Sequence, residues 1–291
     1  MRYEGTIYRP PSEAYSLLIQ ATIGCPHNKC TFCRMYKDTR FRVRPVAEIK
    51  EDLLEAYKTY GPYVQSVFFP DGNTIIMKTD HLVEILEYTH ELFPYLERVT
   101  MYGSARFINK KKPEELRRIR EAGLNRLHAG MESGDDEVLR RLCKGTNSEE
   151  IITAGLKLKE AGIQVSEYYL TGAGGVELTR QHALNSARVL SAVKPEFIRI
   201  RTLRVQKHTP LYEQQQQGLF TLPGPHMALR ELKMLVENLD CSGSHILSDH
   251  FLNYCNVQGF FPDDRILMLL EIEKALALDE RDLLRPFSGQ L

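Results

Sequence analysis

Three cysteines lie close together near the start of the chain, in the segment ATIGCPHNKCTFCRMYK (21–37). Their spacing is Cys25-x4-Cys30-x2-Cys33, and the next cysteine, Cys143, lies far along the chain. Thiolates are ligands for zinc and for iron–sulfur clusters. The segment therefore supplies three local thiolates and no fourth. Such a set predicts a metal centre with one coordination position left open for another ligand.

Two kinds of metal centre fit these cysteines. A structural zinc ion takes four ligands, usually as two pairs, and His27 could be the fourth, although Cys25-x-His27 is cramped for a tetrahedron. A cluster of four irons usually takes four thiolates, so three thiolates would leave one iron free. The sequence favours the second arrangement, and the first stays open as a zinc-stabilised binding module.

Composition excludes some classes of protein. The chain has 291 residues, of which 43% are hydrophobic and 26% charged, as in ordinary globular proteins. Lys plus Arg and Asp plus Glu number 38 each, so no net charge attracts the chain to nucleic acid or to an anionic membrane. The first residues, MRYEGTIYRPPSEAY, lack the apolar run of a signal peptide. We therefore expect a cytoplasmic protein that does not span a membrane and whose six cysteines are thiols.

Short β-rich runs alternate with amphipathic helical runs along most of the chain. The pattern predicts an α/β fold with a parallel sheet and right-handed crossovers. Six strands are predicted, at 16–24, 64–69, 98–105, 126–133, 164–172 and 197–205. Polar residues share one face of several of these strands, whereas a closed eight-stranded barrel fills its interior with branched apolar side chains. We therefore expect a six-stranded partial barrel, a (β/α)6 TIM-like fold with a polar interior, unless these polar groups pair in the core.

The pattern changes after the sixth strand, where KHTPLYEQQQQGLFTLPGPH is rich in Pro, Gly and Gln. Two helical stretches follow, MALRELKMLVENL and DDRILMLLEIEKALAL. We therefore predict a lead-in at 1–13, a barrel at 14–212 and a small, mainly helical C-terminal extension at 213–291 that caps the barrel.

A cysteine loop after the first strand of a (β/α)6 series resembles the radical S-adenosylmethionine superfamily. Phe32, the aromatic residue before the last cysteine, matches that family, whereas the spacing has one extra residue between Cys25 and Cys30. GMESGDDEVLRRLCKGTNSEEIITAGLKLKEAGIQVSEYYLTGAGG and HTPLYE are similar to the branch with oxygen-independent coproporphyrinogen oxidases, methylthiotransferases and the elongator catalytic subunit. The resemblance covers roughly residues 14–212.

The resemblance implies both the cofactors and the chemistry. One 4Fe–4S cluster on Cys25, Cys30 and Cys33 would bind S-adenosylmethionine through its open iron and cleave it reductively. The resulting 5′-deoxyadenosyl radical would abstract hydrogen from a substrate, which we expect to be a small molecule. A flavodoxin-like or ferredoxin-like protein would supply the electron. Nucleic acid is not indicated as a partner, although an RNA- or peptide-modifying enzyme stays open, as does an electron-transfer protein.

Further residues are candidates for binding the cofactor. Asp71-Gly72-Asn73 follows the second strand, where the family has a turn that binds the methionine amino group. Glu132 ends the fourth strand and, by resemblance, would contact the ribose or amino-acid part of the cofactor. Phe32 of the cysteine loop is one further candidate. The others are Ser104 and Arg106 at the end of strand three, Gly172 at the end of strand five, and Arg199 and Arg201 on strand six.

Three residues are candidates for catalysis. Asp249 and His250 are adjacent in HILSDHFLNYC, and such a pair could transfer a proton if it reaches the interior of the barrel. An alternative is that Asp249 begins a helix. Tyr169, on the fifth strand, is the third candidate.

Overall fold

A computed structural model describes residues 1–284 of the chain. Within this part, the strands are β1 (Leu17–Leu18), β2 (Thr22–Ile23), β3 (Arg42–Val43), β4 (Ser66–Phe69), β5 (Arg98–Gly103), β6 (Arg126–Glu132), β7 (Gln164–Thr171), β8 (Phe197–Thr202), β9 (His245–Leu247) and β10 (Gln258–Phe260). The α-helices are α1 (Val46–Tyr60), α2 (Thr79–Leu92), α3 (Ala105–Ile108), α4 (Pro113–Glu121), α5 (Asp136–Arg141), α6 (Ser148–Glu160), α7 (Gly175–Val193), α8 (Pro210–Gln216), α9 (Pro225–Asn238), α10 (Arg265–Leu276) and α11 (Glu280–Leu283). Strands and helices alternate, which confirms the predicted α/β class. None of the helices in residues 1–284 has the length and apolar character that crossing a bilayer requires.

The described chain divides into two compact units. The first contains residues 1–28, 35–129 and 153–165. In it, β1, β4, β5 and the first part of β6 are neighbours in that order, and each pair is parallel. A separate antiparallel pair, β2 with β3, flanks the segment that leads into Cys25.

The second unit contains residues 29–34, 130–152 and 166–291, described to residue 284. Here β7 pairs with β8 and β8 with β9, in both cases parallel, and β10 closes the edge antiparallel to β9. Helix α9 packs against α7 through buried apolar side chains. The unit thus joins the carboxyl-terminal strands of the predicted barrel to the region predicted as an extension.

The six predicted strands are all present, and the differences concern their limits and three additional strands. The predicted strand at 16–24 is two short strands, β1 and β2. Strands β3, β9 and β10 lie outside the six predicted strands. Because β9 pairs with β8 and β10 with β9, the C-terminal region extends the sheet as well as contributing helices. The boundary at 212 stays a prediction, and the last residues of the predicted extension lie outside the described residues.

Part of the predicted polar interior is paired within the core of the first unit. His128 on β6 is fully buried, and its Nε2 lies 2.9 Å from Oε1 of Glu13. Burial alone would raise the pKa of Glu13, but His128, Ser16 and Arg98 outweigh it and lower that pKa to about 2. His128 and Glu13 therefore form a buried hydrogen-bonded pair, the pairing alternative stated above.

Candidate functional site

The three cysteines of the loop fall in different units. Cys25 follows β2 in the first unit, whereas Cys30 and Cys33 belong to the second. All three are half-buried and free of disulfides. Within residues 1–284, no group of three or more His, Cys, Asp and Glu is arranged to hold a metal ion. The predicted ligand set therefore stays a prediction, and the surroundings of each cysteine are described in its own unit.

In the first unit, Asp71-Gly72-Asn73 packs directly behind Cys25. Gly72 is required there because a methyl group at its Cα would stand 2.6 Å from Cβ of Cys25. The Gly72 amide donates a hydrogen bond of 3.0 Å to the carbonyl of Gly24, and Nδ2 of Asn73 lies 3.8 Å from Sγ of Cys25. These contacts fix the backbone on both sides of the first thiol.

The Asp71 side chain stabilises the same turn through hydrogen bonds. Its Oδ2 accepts hydrogen bonds from Nε2 of Gln20, at 2.8 Å, and from the Gly24 amide, at 2.9 Å. Burial raises the pKa of Asp71, against the lowering effect of these bonds and of Tyr36. Oδ2 of Asp71 thus positions the backbone that leads into Cys25, and the role of Asp71 in cofactor binding stays a prediction.

In the second unit, the segment with Cys30 and Cys33 is anchored through Thr31. The Thr31 amide donates to the carbonyl of Leu142, at 2.9 Å, and its carbonyl accepts from the Leu211 amide, at 3.1 Å. Phe32 packs against an apolar cluster of the same unit. The members of that cluster are Val138, Leu142, Leu170, Ala173, Leu203, Leu211 and Phe220.

Lys144 interacts electrostatically with these two thiols in the second unit, and no sequence motif indicated it. Its Nζ donates to Oε1 of Glu132 at 3.1 Å, and both side chains are largely buried. Burial disfavours the ammonium form, but the charges of Glu132, Cys30 and Cys33 outweigh burial and raise the pKa of Lys144. A cation is thus held beside two thiols and a carboxylate. The signal in the sequence was only a lysine in the loop LCKG, after α5.

Glu167 on β7 is a further ionisable residue that interacts electrostatically with Lys144 and Glu132. Burial raises its pKa to about 8, with Lys144 opposing and Glu132 adding to the rise. At neutral pH, therefore, Glu167 holds a proton, and Lys144 and Glu132 form a one-to-one ion pair. Glu132 itself has a positive φ of 62°, a conformation that few residues other than glycine adopt.

Tyr169 and Gly172 meet at one buried carboxyl group in the second unit. Oε1 of Glu231, on α9, accepts 2.8 Å hydrogen bonds from the Tyr169 hydroxyl and from the Gly172 amide. The Tyr169 ring stacks on His182 of α7 at 4.7 Å. Gly172 has a φ of +86°, which glycine adopts without strain. The Tyr169 hydroxyl thus links β7 to α9, and the catalytic role of Tyr169 stays a prediction.

Arg199, Arg201, Asp249 and His250 lie together near β8. Nη1 of Arg201 is 3.4 Å from Oδ1 of Asp249, and Nη1 of Arg199 is 3.9 Å from its Oδ2. Burial, and then the Arg201 charge, lower the pKa of His250 to about 4, so His250 is neutral at neutral pH. Both arginines thus pair loosely with Asp249, and their role in binding the cofactor stays a prediction.

Ser104 and Arg106 lie in the first unit. Ser104 precedes α3, and its carbonyl accepts from the amides of Phe107 and Ile108. Arg106 is exposed on α3. Their roles in cofactor binding stay predictions.

Comparison with known protein families gives one match that covers more than half of the chain. The profile described as Radical_SAM, the Radical SAM superfamily, matches residues 19–187. This range includes the cysteine loop, the Asp71-Gly72-Asn73 turn, Glu132 and Lys144.

A curated relative is the heme chaperone HemW of Bacillus subtilis (strain 168). It is 21% identical over 255 residues, and the alignment covers 81% of this chain and 66% of that protein. The chain thus spans slightly less than two thirds of this relative's length.

Solved structures share the fold. Methylornithine synthase (PylB) aligns with a TM-score of 0.55 and 19% identity, over 88% of this chain and 68% of that one. Coproporphyrinogen III oxidase (HemN) from Escherichia coli aligns with a TM-score of 0.55 and 17% identity, over 76% of this chain and 51% of that one. These likenesses confirm the predicted TIM-like fold.

Proposed function

The chain belongs to the radical S-adenosylmethionine superfamily, and from this premise we propose that it is a radical enzyme acting on a small molecule. The superfamily comprises oxidoreductases and transferases, and it uses a 4Fe–4S cluster and S-adenosylmethionine. The observation that carries the proposal is Lys144, a buried cation held beside Cys30, Cys33 and Glu132.

The residues of the loop fit such a cluster in kind and number. Cys25, Cys30 and Cys33 would supply three thiolates and leave one iron for S-adenosylmethionine. A bound cluster would supply the electron, received from an external donor, for reductive cleavage of S-adenosylmethionine and hence for hydrogen abstraction from the substrate. Gly72 leaves room for Cys25, since any side chain there would collide with it.

Two side chains of the second unit are suited to the amino-acid end of S-adenosylmethionine. That end carries an ammonium and a carboxylate. Glu132 offers an acceptor for the first and Lys144 a donor for the second, and the pair is already held at 3.1 Å. Because Glu167 is neutral at neutral pH, it leaves that ion pair electrically balanced. We propose that Glu132 and Lys144 orient S-adenosylmethionine in this way.

Other residues position the loop. Asp71 holds the turn before Cys25 through Gln20 and Gly24. Phe32 packs on an apolar cluster of the second unit and so anchors the segment that carries Cys30 and Cys33. Members of the superfamily need a reductant and a substrate, and we propose a flavodoxin-like or ferredoxin-like electron donor.

The test is anaerobic reconstitution of the full chain with iron and sulfide, followed by reduction with dithionite in the presence of S-adenosylmethionine. We expect a brown protein that binds four irons and releases 5′-deoxyadenosine, detected by mass spectrometry. Cys30→Ala should lose both the cluster and the product.

Cys255→Ala is the matched control for the loss of a thiol. Cys255 lies outside the loop. Burial raises the pKa of its thiol to about 12, so it stays protonated at neutral pH. The control should bind iron like the wild type. A colourless protein that binds one zinc ion tightly and no cluster would contradict the proposal and leave a zinc-stabilised binding module.

A further inference from the structure

Two arginines of β8 carry more positive charge than their surroundings neutralise. Arg199 is 2% exposed, and its Nε donates to Oγ of Ser166 at 3.2 Å. Nη1 of Arg201 donates to the carbonyl of Ile200 at 2.8 Å. Both guanidinium groups stay charged at every accessible pH. Their charges therefore need an anion nearby, because an unpaired buried charge is costly.

Asp249 supplies only part of that anion. Its oxygens lie 3.4 Å from Arg201 and 3.9 Å from Arg199, longer than the roughly 2.7–2.9 Å of a good charge-assisted hydrogen bond. One carboxylate faces two cations. His250 adds no charge at neutral pH, because burial and Arg201 lower its pKa to about 4.

Donor groups of both arginines are also unused. Within residues 1–284, Nη1 of Arg199 and Nη2 of Arg201 are buried and make no hydrogen bond. The neighbouring Arg204 differs, since its guanidinium donates to the Tyr254 hydroxyl, at 3.2 Å, and to the Leu252 carbonyl, at 3.0 Å. Nε of Arg204 is also buried without a hydrogen bond to the described residues, but both of its terminal nitrogens are bonded, whereas Arg199 and Arg201 each leave a terminal nitrogen unused beside a single shared carboxylate.

A ligand can reach the segment around Asp249, which lies between β9 and β10. The Asp249 side chain is 30% exposed and that of Arg201 is 15% exposed. Asn253 holds the segment to β8: its Nδ2 donates to the Ile200 carbonyl, at 3.0 Å, and its Oδ1 accepts from Thr202. The segment thus keeps one exposed carboxylate beside two buried cations, in a place where a stronger anion can compete with it.

We propose that Arg199 and Arg201 bind an anionic oxygen group of the substrate, a carboxylate or a phosphoryl group, in competition with Asp249. This assignment deepens the function proposed above by naming the chemical class of the substrate, and it differs from the cofactor-binding role predicted from the sequence. Two guanidinium groups match the paired oxygens of such a group. Asp249 occupies the site loosely until the substrate displaces it.

The test measures anion binding by the full chain without cluster, so that its outcome is independent of radical chemistry. Glutarate is titrated against the protein at constant ionic strength, and binding is followed by ligand-observed NMR, with neutral glutaramide as the control ligand. We expect glutarate to bind and glutaramide not to bind. Inorganic phosphate is then added: displacement of glutarate at lower concentration assigns the site to a phosphoryl group, and weak displacement assigns it to a carboxylate.

Variants with opposite expected effects make the test sharp. Arg201→Gln should raise the Kd for glutarate at least about tenfold, because a charged donor is lost. Asp249→Asn should lower the Kd several-fold, because the competing carboxylate is removed. Arg188→Gln, which removes an exposed ion pair with Glu149 in the same unit, should leave the Kd unchanged.

Three results would overturn the proposal. They are equal glutarate binding by the wild type and Arg201→Gln, no glutarate binding by the wild type, and weaker glutarate binding by Asp249→Asn. Binding of S-adenosylmethionine by the reconstituted enzyme separates substrate from cofactor. Arg201→Gln should leave the binding of S-adenosylmethionine unchanged. If the variant no longer binds S-adenosylmethionine, the arginines bind the cofactor and not the substrate. If reconstitution yields no cluster while glutarate binding follows the pattern above, the radical function fails and the anion site stands.

Discussion

The charge of one residue, Lys144, acts on two of the three loop cysteines. We expect Lys144→Met to slow the alkylation of Cys30 and Cys33 by iodoacetamide several-fold at pH 7.5. A neighbouring cation favours the thiolate, which is the form that reacts. The rates are measured on the cluster-free protein by mass spectrometry of the labelled peptides.

Lys194→Met is the control for Lys144→Met. Lys194 is a half-exposed lysine of the same unit that pairs with Asp240. Its loss should leave both alkylation rates unchanged. Unchanged rates in Lys144→Met would show that Lys144 has no electrostatic role at the loop, and the observation that carries the proposed function would be lost.

The fit between Gly72 and Cys25 gives a second prediction at the scale of single residues. In Gly72→Ala, the new methyl group would stand 2.6 Å from Cβ of Cys25, so the loop must move. We expect the iron content after reconstitution to fall by half or more, and the overall fold to survive. Gly224→Ala is the control, because its nearest contact is the flexible end of Glu280 at 3.1 Å. Full iron content in Gly72→Ala would contradict this account of the loop.

Between elements, a single carboxyl group joins α9 to the end of β7. Glu231 is fully buried and accepts hydrogen bonds from Tyr169 and Gly172, and burial raises its pKa to about 8. The unfolded chain releases this proton near pH 4.3. Between these pKa values the folded state binds more protons than the unfolded state, so this group lowers stability as the pH rises toward 8.

Glu231→Gln tests that linkage, because glutamine keeps an acceptor for Tyr169 and Gly172 and cannot titrate. We expect the wild type to lose stability relative to the variant between pH 5 and pH 8.5, by more than about 1.4 kcal/mol, the value of one pKa unit. Urea unfolding at both pH values measures the change. A constant difference across this pH range would contradict a raised pKa for Glu231.

How far the sequence predicts each element depends on how local its signal is. Helix α4 has a local start signal, since Pro113 lies in its first turn. The predicted strand at 98–105 matches β5 closely, because β-branched residues within a short run are also a local signal. Strand β9 has only three residues, too few to show a period, and it forms because β8 offers an open edge. Tertiary contacts therefore determine β9, and no local sequence pattern predicts them.

The same distinction applies to the candidate site. Cys25, Cys30 and Cys33 are found from their spacing, which is local. Lys144 is brought to Glu132 and to the cysteines by folding, so its role could not be predicted from the loop that contains it. The bond from the Tyr169 hydroxyl to Glu231 also arises from folding, because Glu231 of α9 lies 62 residues further along the chain, and the catalytic role of Tyr169 stays a prediction.

For the whole molecule, these contacts imply that the C-terminal region is part of the fold that supports the site. The second unit includes the Cys30–Cys33 segment, β7 and β8 together with α9 and β9. Helix α9 buries Leu229, Leu232, Leu235 and Val236, each contributing about 1.5–3 kcal/mol. Their sum is comparable with the ~5–15 kcal/mol that stabilises a whole protein.

A chain that ends at residue 212, the predicted boundary of the barrel, is therefore expected not to fold cooperatively. It would lose the pairing of β9 with β8 and the Glu231 bonds to Tyr169 and Gly172. Circular dichroism on heating and the binding of a hydrophobic dye would show a broad transition and exposed apolar surface, in contrast to the full chain. A sharp transition for residues 1–212, with iron binding retained, would establish the predicted boundary and show that the C-terminal region is a separate cap.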